Sequence, residues 1–401
     1  MNHTQLERNI TLYGFLKIFT KRVFLPLTAI YFVEVGHLSI AQIGVMAVVS
    51  AVVSIVAEIP TGYFADRVGR RAALMTGSGI ALFGPLTYIL YPNLLGAILG
   101  TALEALGYSF VNGAGEALMH DTLRALKRSN EYAKIAGRAQ SIGLISNVVL
   151  ISAATFTYKL DKRLPFAFGA LAFLALGVVA YAMVEPPRTR RSEILINPLR
   201  DLVANLRFIV TRHSFLVFGV IGVLSGLYTS SSDFTNLIIK DLGLAPNLLG
   251  FLFGAASLCA ATAGFGLHHL KRLSFRSYML LDVVVDTVFY IAIGLSRNLV
   301  ITIVAFLVNM AFWRFRNIMY QHYFLLQFEN YSHKATLIST INFFSRINEA
   351  WLPFMFVGLI HRYSYYQAYH LTGVVGLVLL IPFVLIACYQ LQKALPRKVM
   401  V

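Results

Sequence analysis

Residues 60–74 read PTGYFADRVGRRAAL, and the short stretch Asp66–Arg71 holds one acidic and three basic side chains between two long apolar runs. A water-soluble chain has no reason to gather its charge this way. A chain that crosses a bilayer does, because its turns are where it meets water. The composition agrees: of 401 residues, 57% are hydrophobic and 13% are charged, against about 25% charged in an average soluble domain. That is too little charge to cover the surface of a soluble protein of this length.

Outward from that stretch, twelve segments reach the roughly 20 apolar residues that a membrane helix needs. They are 12–34, 41–63, 72–91, 94–118, 139–158, 164–184, 214–238, 247–269, 277–295, 299–320, 335–360 and 365–391. Short polar turns such as HLS (37–39), YPN (91–93) and SRN (296–298) separate them. The one long interruption begins EPPRTRRSE and divides six spans from six. The expected organisation is a six-helix bundle over 1–184, a connecting loop over 185–213 and a second bundle over 214–401. Within the loop, NPLRDLVANLRFIV from Asn197 repeats apolar residues at helical spacing, with Arg200 and Arg207 on another face. It reads as an amphipathic helix on the membrane surface, either coupling the halves or tethering them passively.

Basic residues orient the chain. With the N-terminus inside, 22 Lys and Arg fall in cytoplasmic segments and six fall outside: Lys159, Lys162, Arg163, Lys240, Arg297 and Arg362. Both termini are therefore expected in the cytoplasm. The net charge of +16 belongs to basic loops rather than to nucleic-acid binding. Cys259 and Cys388 sit in apolar runs without metal-ligand spacing. The N-terminus lacks a cleavable signal pattern. No G-x-x-x-x-G-K-[ST] loop points to direct use of ATP. Neither a cofactor nor a metal is expected.

Gly62, Asp66, Arg67, Gly69, Arg70 and Arg71 match G-x-x-x-D-R-x-G-R-R in the turn between the second and third spans. This resembles the loop signature of the major facilitator superfamily. The resemblance implies an all-α integral membrane protein of twelve transmembrane helices in two six-helix bundles. EIPTGYFADRVGRR from Glu58 and NGAGEALMHDTL from Asn112 are similar to a bacterial drug-exporter branch. That branch implies a monomer in the bacterial inner membrane, among lipids, moving a small molecule. In the superfamily the Asp latches the two halves on the cytoplasmic side, which gives Asp66 a latch role. The plain physical reading of Asp66 is a cap on the third span, at a helix N-terminus that favours an anion. Gly62 would let span 2 pack closely, and Gly69 permits a tight turn. The turn between spans 8 and 9, GFGLHHLKRLSFRS from Gly264, echoes the signature at Gly266 and Lys271 but has Leu270 where Asp66 would stand. Two features depart from proton-linked exporters: Ser109 stands where they often carry Arg, and span 5, SIGLISNVVLISAATFTY, has no Pro and one Gly. Direction and coupling ion therefore do not follow from the resemblance.

A charge at the bilayer centre costs at least about 2.5–3.5 kcal/mol, so charges inside spans face a cavity or a partner. The resemblance places spans 1, 4, 7 and 10 around a central cavity. The expected cavity residues are Lys21, Arg22, Glu104, Tyr108, Asp233, Trp313, Arg314 and Arg346, with Tyr228 and Phe312 adding apolar surface. Such a cavity suits a small amphipathic or anionic solute. Glu104, Asp233 and Glu349 are the expected proton carriers, since coupling needs a carboxylate that can change charge. The competing reading is mutual neutralisation: Arg346 with Glu349, and Arg22 with Glu104 or Asp233. Lys17 and Lys21 would share a helix face. Lys17 and Arg316 lie within snorkelling reach of the interface. Asp282 and Asp286 read as a structural ion pair, and Glu116 as a partner of Arg124 or Arg138. The leading function is secondary transport by alternating access, as proton-coupled export or as import of an organic anion. A membrane-embedded enzyme has only His120-Asp121 and His268-His269 to rest on, neither with H-E-x-x-H spacing. A non-transporting receptor is the third reading.

Overall fold

The computed structural model describes residues 3–187, 215–265, 273–327 and 334–394. The amphipathic segment 197–210, the echo positions Gly266, Leu270 and Lys271, and the pair His268-His269 lie outside the described residues. Among the described residues every regular element is helical, and a helix lies over each of the twelve apolar segments. Among the described residues seven helices are long and apolar enough to cross a membrane. By contacts the chain forms two compact units, Met1–Leu195 with Ala245–Gly254, and Ile196–Leu244 with Ala255–Val401.

The first unit contains α1 (His3–Phe19), α2 (Thr28–Glu34), α3 (Ile40–Arg67), α4 (Arg70–Leu90), α5 (Leu94–Val111), α6 (Ala114–Ala125), α7 (Tyr132–Phe156) and α8 (Leu164–Ala182). Local chemistry sets several ends. Ser39 accepts from the Gln42 backbone N–H while the Gln42 side chain accepts from Ser39 N–H, a capping box that starts α3. Asn93 accepts from Gly96 N–H at 2.9 Å and starts α5. Gly69, at φ 144°, makes the turn between α3 and α4 in a conformation that L side chains rarely adopt.

Two spans expected to be continuous are broken. Span 1 stops at Phe19, and the chain passes through a tight turn at Leu25–Leu27 before α2 resumes. Pro26 has no N–H for an α-helical bond to the Arg22 carbonyl, which instead accepts from Leu25 N–H at 3.1 Å. Lys21 and Arg22 therefore sit in a helix break, and the shared helical face expected for Lys17 and Lys21 does not form. Span 4 breaks at Asn112–Gly113, between α5 and α6. The second helix, by contrast, runs on to Arg67, which puts Asp66 and Arg67 on its last turn rather than in the loop.

The second unit holds α9 (Phe215–Asp241), most of α10 (Leu249–Phe265), α11 (Phe275–Ser296), α12 (Leu299–Gln327), α13 (Lys334–Arg362) and α14 (Tyr365–Ala394). Ser274 caps α11, accepting from Ser277 N–H at 3.1 Å. The pairings repeat between units. In the first, α1 packs on α7 and α4 on α8; in the second, α9 packs on α13 and α11 on α14. In spans, the first meets the fifth and the third meets the sixth in each unit. This is the internal repetition that the degenerate loop motif left open.

The seam between α4 and α5 is built on small residues. A Cβ on Gly107 would lie 2.5 Å from the Gly77 carbonyl oxygen and 2.5 Å from the Ala81 nitrogen. With no hydrophobic drive between helices in lipid, such close backbone approach supplies the packing. A Cβ on Gly79, on α4, meets nothing within 4 Å. Gly107→Ala is expected to lower the melting temperature of the purified protein, by about 1–3 kcal/mol of overpacking. Gly79→Ala is expected to be neutral or better. Equal melting temperatures for the two variants would remove the seam as a source of stability.

Candidate functional site

The charged turn is organised by groups that its own sequence does not contain. Glu185, just beyond α8, accepts from the backbone N–H groups of Arg70 at 3.0 Å and Arg71 at 2.7 Å. Its carboxylate thus occupies the N-terminus of α4, where unpaired donors and the helix dipole favour an anion. The cap expected of Asp66 is made by Glu185 instead. Arg71 donates to the Tyr181 carbonyl at 2.6 Å and lies over the Tyr181 ring. Arg70 pairs with Asp121 at 3.3 Å and reaches Asp66 only at 4.0 Å. The Asp66 side chain is 75% exposed, and Arg67 stacks on Tyr63. Around Gly62 a Cβ would meet nothing within 4 Å, so the close packing expected there is absent among the described residues.

Asn9 ties the same region together, and sequence reasoning missed it. It is fully buried, donates to Thr122 Oγ1 and the Val184 carbonyl, and accepts from Val184 N–H. One amide thereby joins α1, α6 and the chain leaving α8. The available signal was a lone Asn among the apolar positions of α1.

Deeper in the first unit, the break in span 1 delivers Arg22 to Glu104. Arg22 Nη1 and Glu104 Oε1 are 3.0 Å apart, with the guanidinium 4.8 Å from the Tyr108 ring centre. Glu104 Oε2 accepts from Tyr88, whose hydroxyl also meets Thr101 at 3.0 Å. The Glu104 side chain is 7% exposed and that of Arg22 34%, so the carboxylate is enclosed and the cation keeps an open face. Tyr108 donates its hydroxyl to the Thr20 carbonyl, a group that the helix break leaves without a helical partner. Lys17 pairs with Glu116 across α1 and α6. This corrects the expected pairing of Glu116 with Arg124 or Arg138: Arg124 instead approaches Asp121.

In the second unit Arg314 and Trp313 stand on α12. The Trp313 ring stacks on Tyr228 of α9, with centroids 4.4 Å apart and planes 13° from parallel. Arg314 Nη2 donates to Ser257 Oγ at 3.3 Å, and its Nε is buried without a hydrogen-bond partner. No carboxylate pairs with Arg314 among the described residues. Asp233 lies on α9 and Glu349 on α13, both partly buried. Arg346 is on α13, with its side chain outside the described residues, and so is the expected pair with Glu349. Arg316, two residues beyond Arg314, does not snorkel: it is 1% exposed and bonds to Asp282 and Asp286.

Long apolar helices, breaks in the first and fourth spans and a charged turn at the second-to-third junction define a multi-pass membrane protein. The family model of the Major Facilitator Superfamily matches residues 10–347, and the chain belongs to that superfamily. The relatives and the solved structure that it resembles are membrane transporters. Over 246 residues it is 23% identical to the uncharacterized MFS-type transporter YxaM of Bacillus subtilis (strain 168), covering 59% of this chain and 60% of that protein. Over 165 residues it is 27% identical to the inner membrane transport protein YajR of Escherichia coli (strain K12), covering 41% of this chain and 35% of that one. The matches thus span 60% and 35% of these relatives, less than two thirds of either. The crystal structure of the nucleoside transporter NupG shares the fold, with a TM-score of 0.74 over 96% of this chain and 99% of that one, at 12% identity.

The two acidic residues of the turn are expected to separate by experiment. Glu185→Ala removes both acceptors from the start of α4 and should lower stability by about 0.5–2 kcal/mol, as cap removals do. Asp66→Asn, at an exposed side chain, should leave the melting temperature within about 0.5 kcal/mol of the parent. Thermal melts of both variants in one detergent provide the comparison. A larger loss for Asp66→Asn would return the cap to Asp66.

Proposed function

We propose that this transporter moves a small amphipathic organic anion by alternating access, as proton-coupled export, and that Arg314 receives the anionic group. The observation that carries this reading is the partly buried guanidinium of Arg314, with one hydroxyl for company and no carboxylate among the described residues. A cation at membrane depth needs an anion, water or a cavity. Two cations of the first unit already have theirs: Arg22 has Glu104 and Lys17 has Glu116. The Tyr228–Trp313 stack beside Arg314 offers a flat apolar surface for the body of the solute. Planar fork geometry suits a guanidinium to a carboxylate, sulfonate or phosphate head.

Export is the direction this proposal takes over import; EIPTGYFADRVGRR and NGAGEALMHDTL resemble drug-exporter sequences, while Ser109 and span 5 lack those exporters' marks. Proton coupling is supported by carboxylates inside spans, which include Glu104, Asp233 and Glu349. Exposed Asp66 belongs to this proposal as a residue that acts in switching between access states rather than in folding. Placement in a bacterial inner membrane, with both termini and the 185–213 loop cytoplasmic, rests on the 22-to-six bias of basic residues.

Two measurements test the proposal. In proteoliposomes, Arg314→Gln should keep the parent's melting temperature and weaken binding of an aromatic carboxylate probe by about 10-fold or more, the effect of losing one charge-assisted contact of roughly 1.5–3 kcal/mol. A probe series with neutral and cationic analogues of the same body should favour the anion. Preference for the cation would overturn the substrate class, and accumulation driven in the opposite direction would make the protein an importer. For topology, a phosphatase fused after Ala394 should be inactive and a cytoplasmic reporter at the same site active. The reverse pattern would invert the orientation.

A further inference from the structure

The second unit holds a charge cluster that the proposed solute site does not use. Asp282 and Asp286, one turn apart on α11, face Arg316 of α12; the three are 0–1% exposed. The same helices share a buried apolar cluster that includes Val217, Ile221 and Leu224 of α9, Met279 and Val283 of α11, Met319 of α12, and Leu380 and Val384 of α14. Two carboxylates meet one guanidinium, so with every group ionised the cluster would carry a net charge of −1 inside an apolar core. An uncompensated charge in such surroundings neutralises by taking or losing a proton.

The hydrogen bonds say which carboxylate takes it. Asp282 accepts from Arg316 Nε with both oxygens, from Arg316 Nη2 at 2.9 Å and from the Tyr320 hydroxyl at 2.8 Å. Those four hydrogen bonds, from three donors, make Asp282 the closer partner of Arg316. Asp286 accepts from Arg316 Nη2 at 2.5 Å and, on its other oxygen, from the Asn309 amide at 2.7 Å. An Asn side chain serves both protonation states. Turned one way its NH₂ donates to a carboxylate; turned over, its carbonyl accepts from a carboxylic acid. A metal ion is a poor occupant, because a guanidinium already sits on both carboxylates and every carboxylate oxygen has a donor.

Among the described residues the groups facing Asp286 carry no second positive charge. They are Tyr228 from α9, Asp282, Tyr278 and Tyr290 from α11, and Asn309 and Arg316 from α12. From α14 comes Tyr369, its ring tilted against that of Tyr290, while His370 lies against Gly294, about 12 Å further along α11 at 1.5 Å per residue. A second observation marks a route for exchange. Arg316 Nη1 and the Tyr278 hydroxyl are both buried with no hydrogen-bond partner. Orphaned donors of this kind are where buried water binds.

We propose that the Asp282–Asp286–Arg316 triad is a proton-binding site, and that one exchangeable proton resides on Asp286, facing Asn309. Binding converts the Asp286 carboxylate to the acid by forming one O–H bond. Release returns the proton to water by way of the position beside Arg316 Nη1 and Tyr278. The site itself stands without the transport reading; its use as the coupling site rests on that reading.

The test reads the proton directly. Infrared difference spectra of the purified protein between alkaline and acidic buffer should show a carboxylic-acid C=O band that is absent from Asp286→Asn and retained in Glu104→Gln. Asp286→Asn mimics the neutral acid and should melt at the parent's temperature. No such band, or a band kept in Asp286→Asn, overturns the site. So does a large fall in melting temperature for Asp286→Asn, which would mark Asp286 as a permanent anion. Asn309→Leu provides a second variant that spares the triad: removing the amide should shift the band's frequency, and an unmoved band overturns the placement. In proteoliposomes, Asp286→Asn should lose solute accumulation driven by a proton gradient. An unchanged gradient response overturns the coupling role. If the parent moves no organic anion at all, the proposed solute fails while the infrared result still decides the site.

Discussion

Hydrocarbon does not solvate charge, and most of this molecule's internal order follows from that constraint. Each cation placed inside a span either meets an anion or keeps access to something polar. Lys17 finds Glu116, Arg22 finds Glu104, and Arg316 finds Asp282 and Asp286. Removing one partner from the Arg316 cluster, or Arg22 from Glu104, leaves an enclosed charge, which costs more than the pair itself contributes. The pairs therefore specify which helices meet, α1 with α6, the span 1 break with α5, and α11 with α12, more than they stabilise the meeting. Stability comes from packing, in seams such as Gly77 against Gly107.

The same constraint applies to the backbone. A helix satisfies its own N–H and C=O groups, and a break inside a span does not. Span 1 is interrupted at Thr20–Phe24, yet the exposed carbonyls are used: Thr20 accepts from Tyr108, and Arg22 from Leu25 N–H. The break also changes where side chains point. It turns Arg22 toward Glu104 and the Tyr108 face in a way that a straight helix from 12 to 34 would not. Irregular backbone at membrane depth is tolerated where it lines a cavity or is buried in protein, and discontinuous helices are a recurrent source of transporter binding sites.

These points separate what the sequence makes legible from what it hides. Spans were legible because length and apolarity suffice to identify them. The turn at Asp66–Arg71 was legible because charge in an oily chain marks a water interface. The break after Phe19 was signalled by Pro26 and was missed, since hydropathy does not distinguish a straight apolar segment from a bent one. Partners were the least legible. Glu116 lies 99 residues from Lys17, and Glu185 lies 115 from Arg70. Nearby alternatives such as Arg124 offered themselves for no reason but proximity in the chain. Asp282 and Asp286 were legible as partners of a buried cation, but the identity of that cation depended on knowing that α12 packs on α11.

Arg314 and Arg316 show why the two functions assigned to the second unit need not interfere. They stand two apart on α12, and positions two apart on an α-helix lie about 200° around its axis from each other. Arg316 faces α11 and is consumed by its carboxylates; Arg314 faces Ser257 of α10 and the Tyr228–Trp313 stack. Among the described residues the side toward Ser257 shows no carboxylate, and the side toward α11 holds two carboxylates for one guanidinium. A guanidinium cannot serve both, so neither imbalance cancels the other across the helix. On the proposed reading an organic anion would answer the first and a proton the second, and the helix that carries both would be the body through which binding of one is felt by the other.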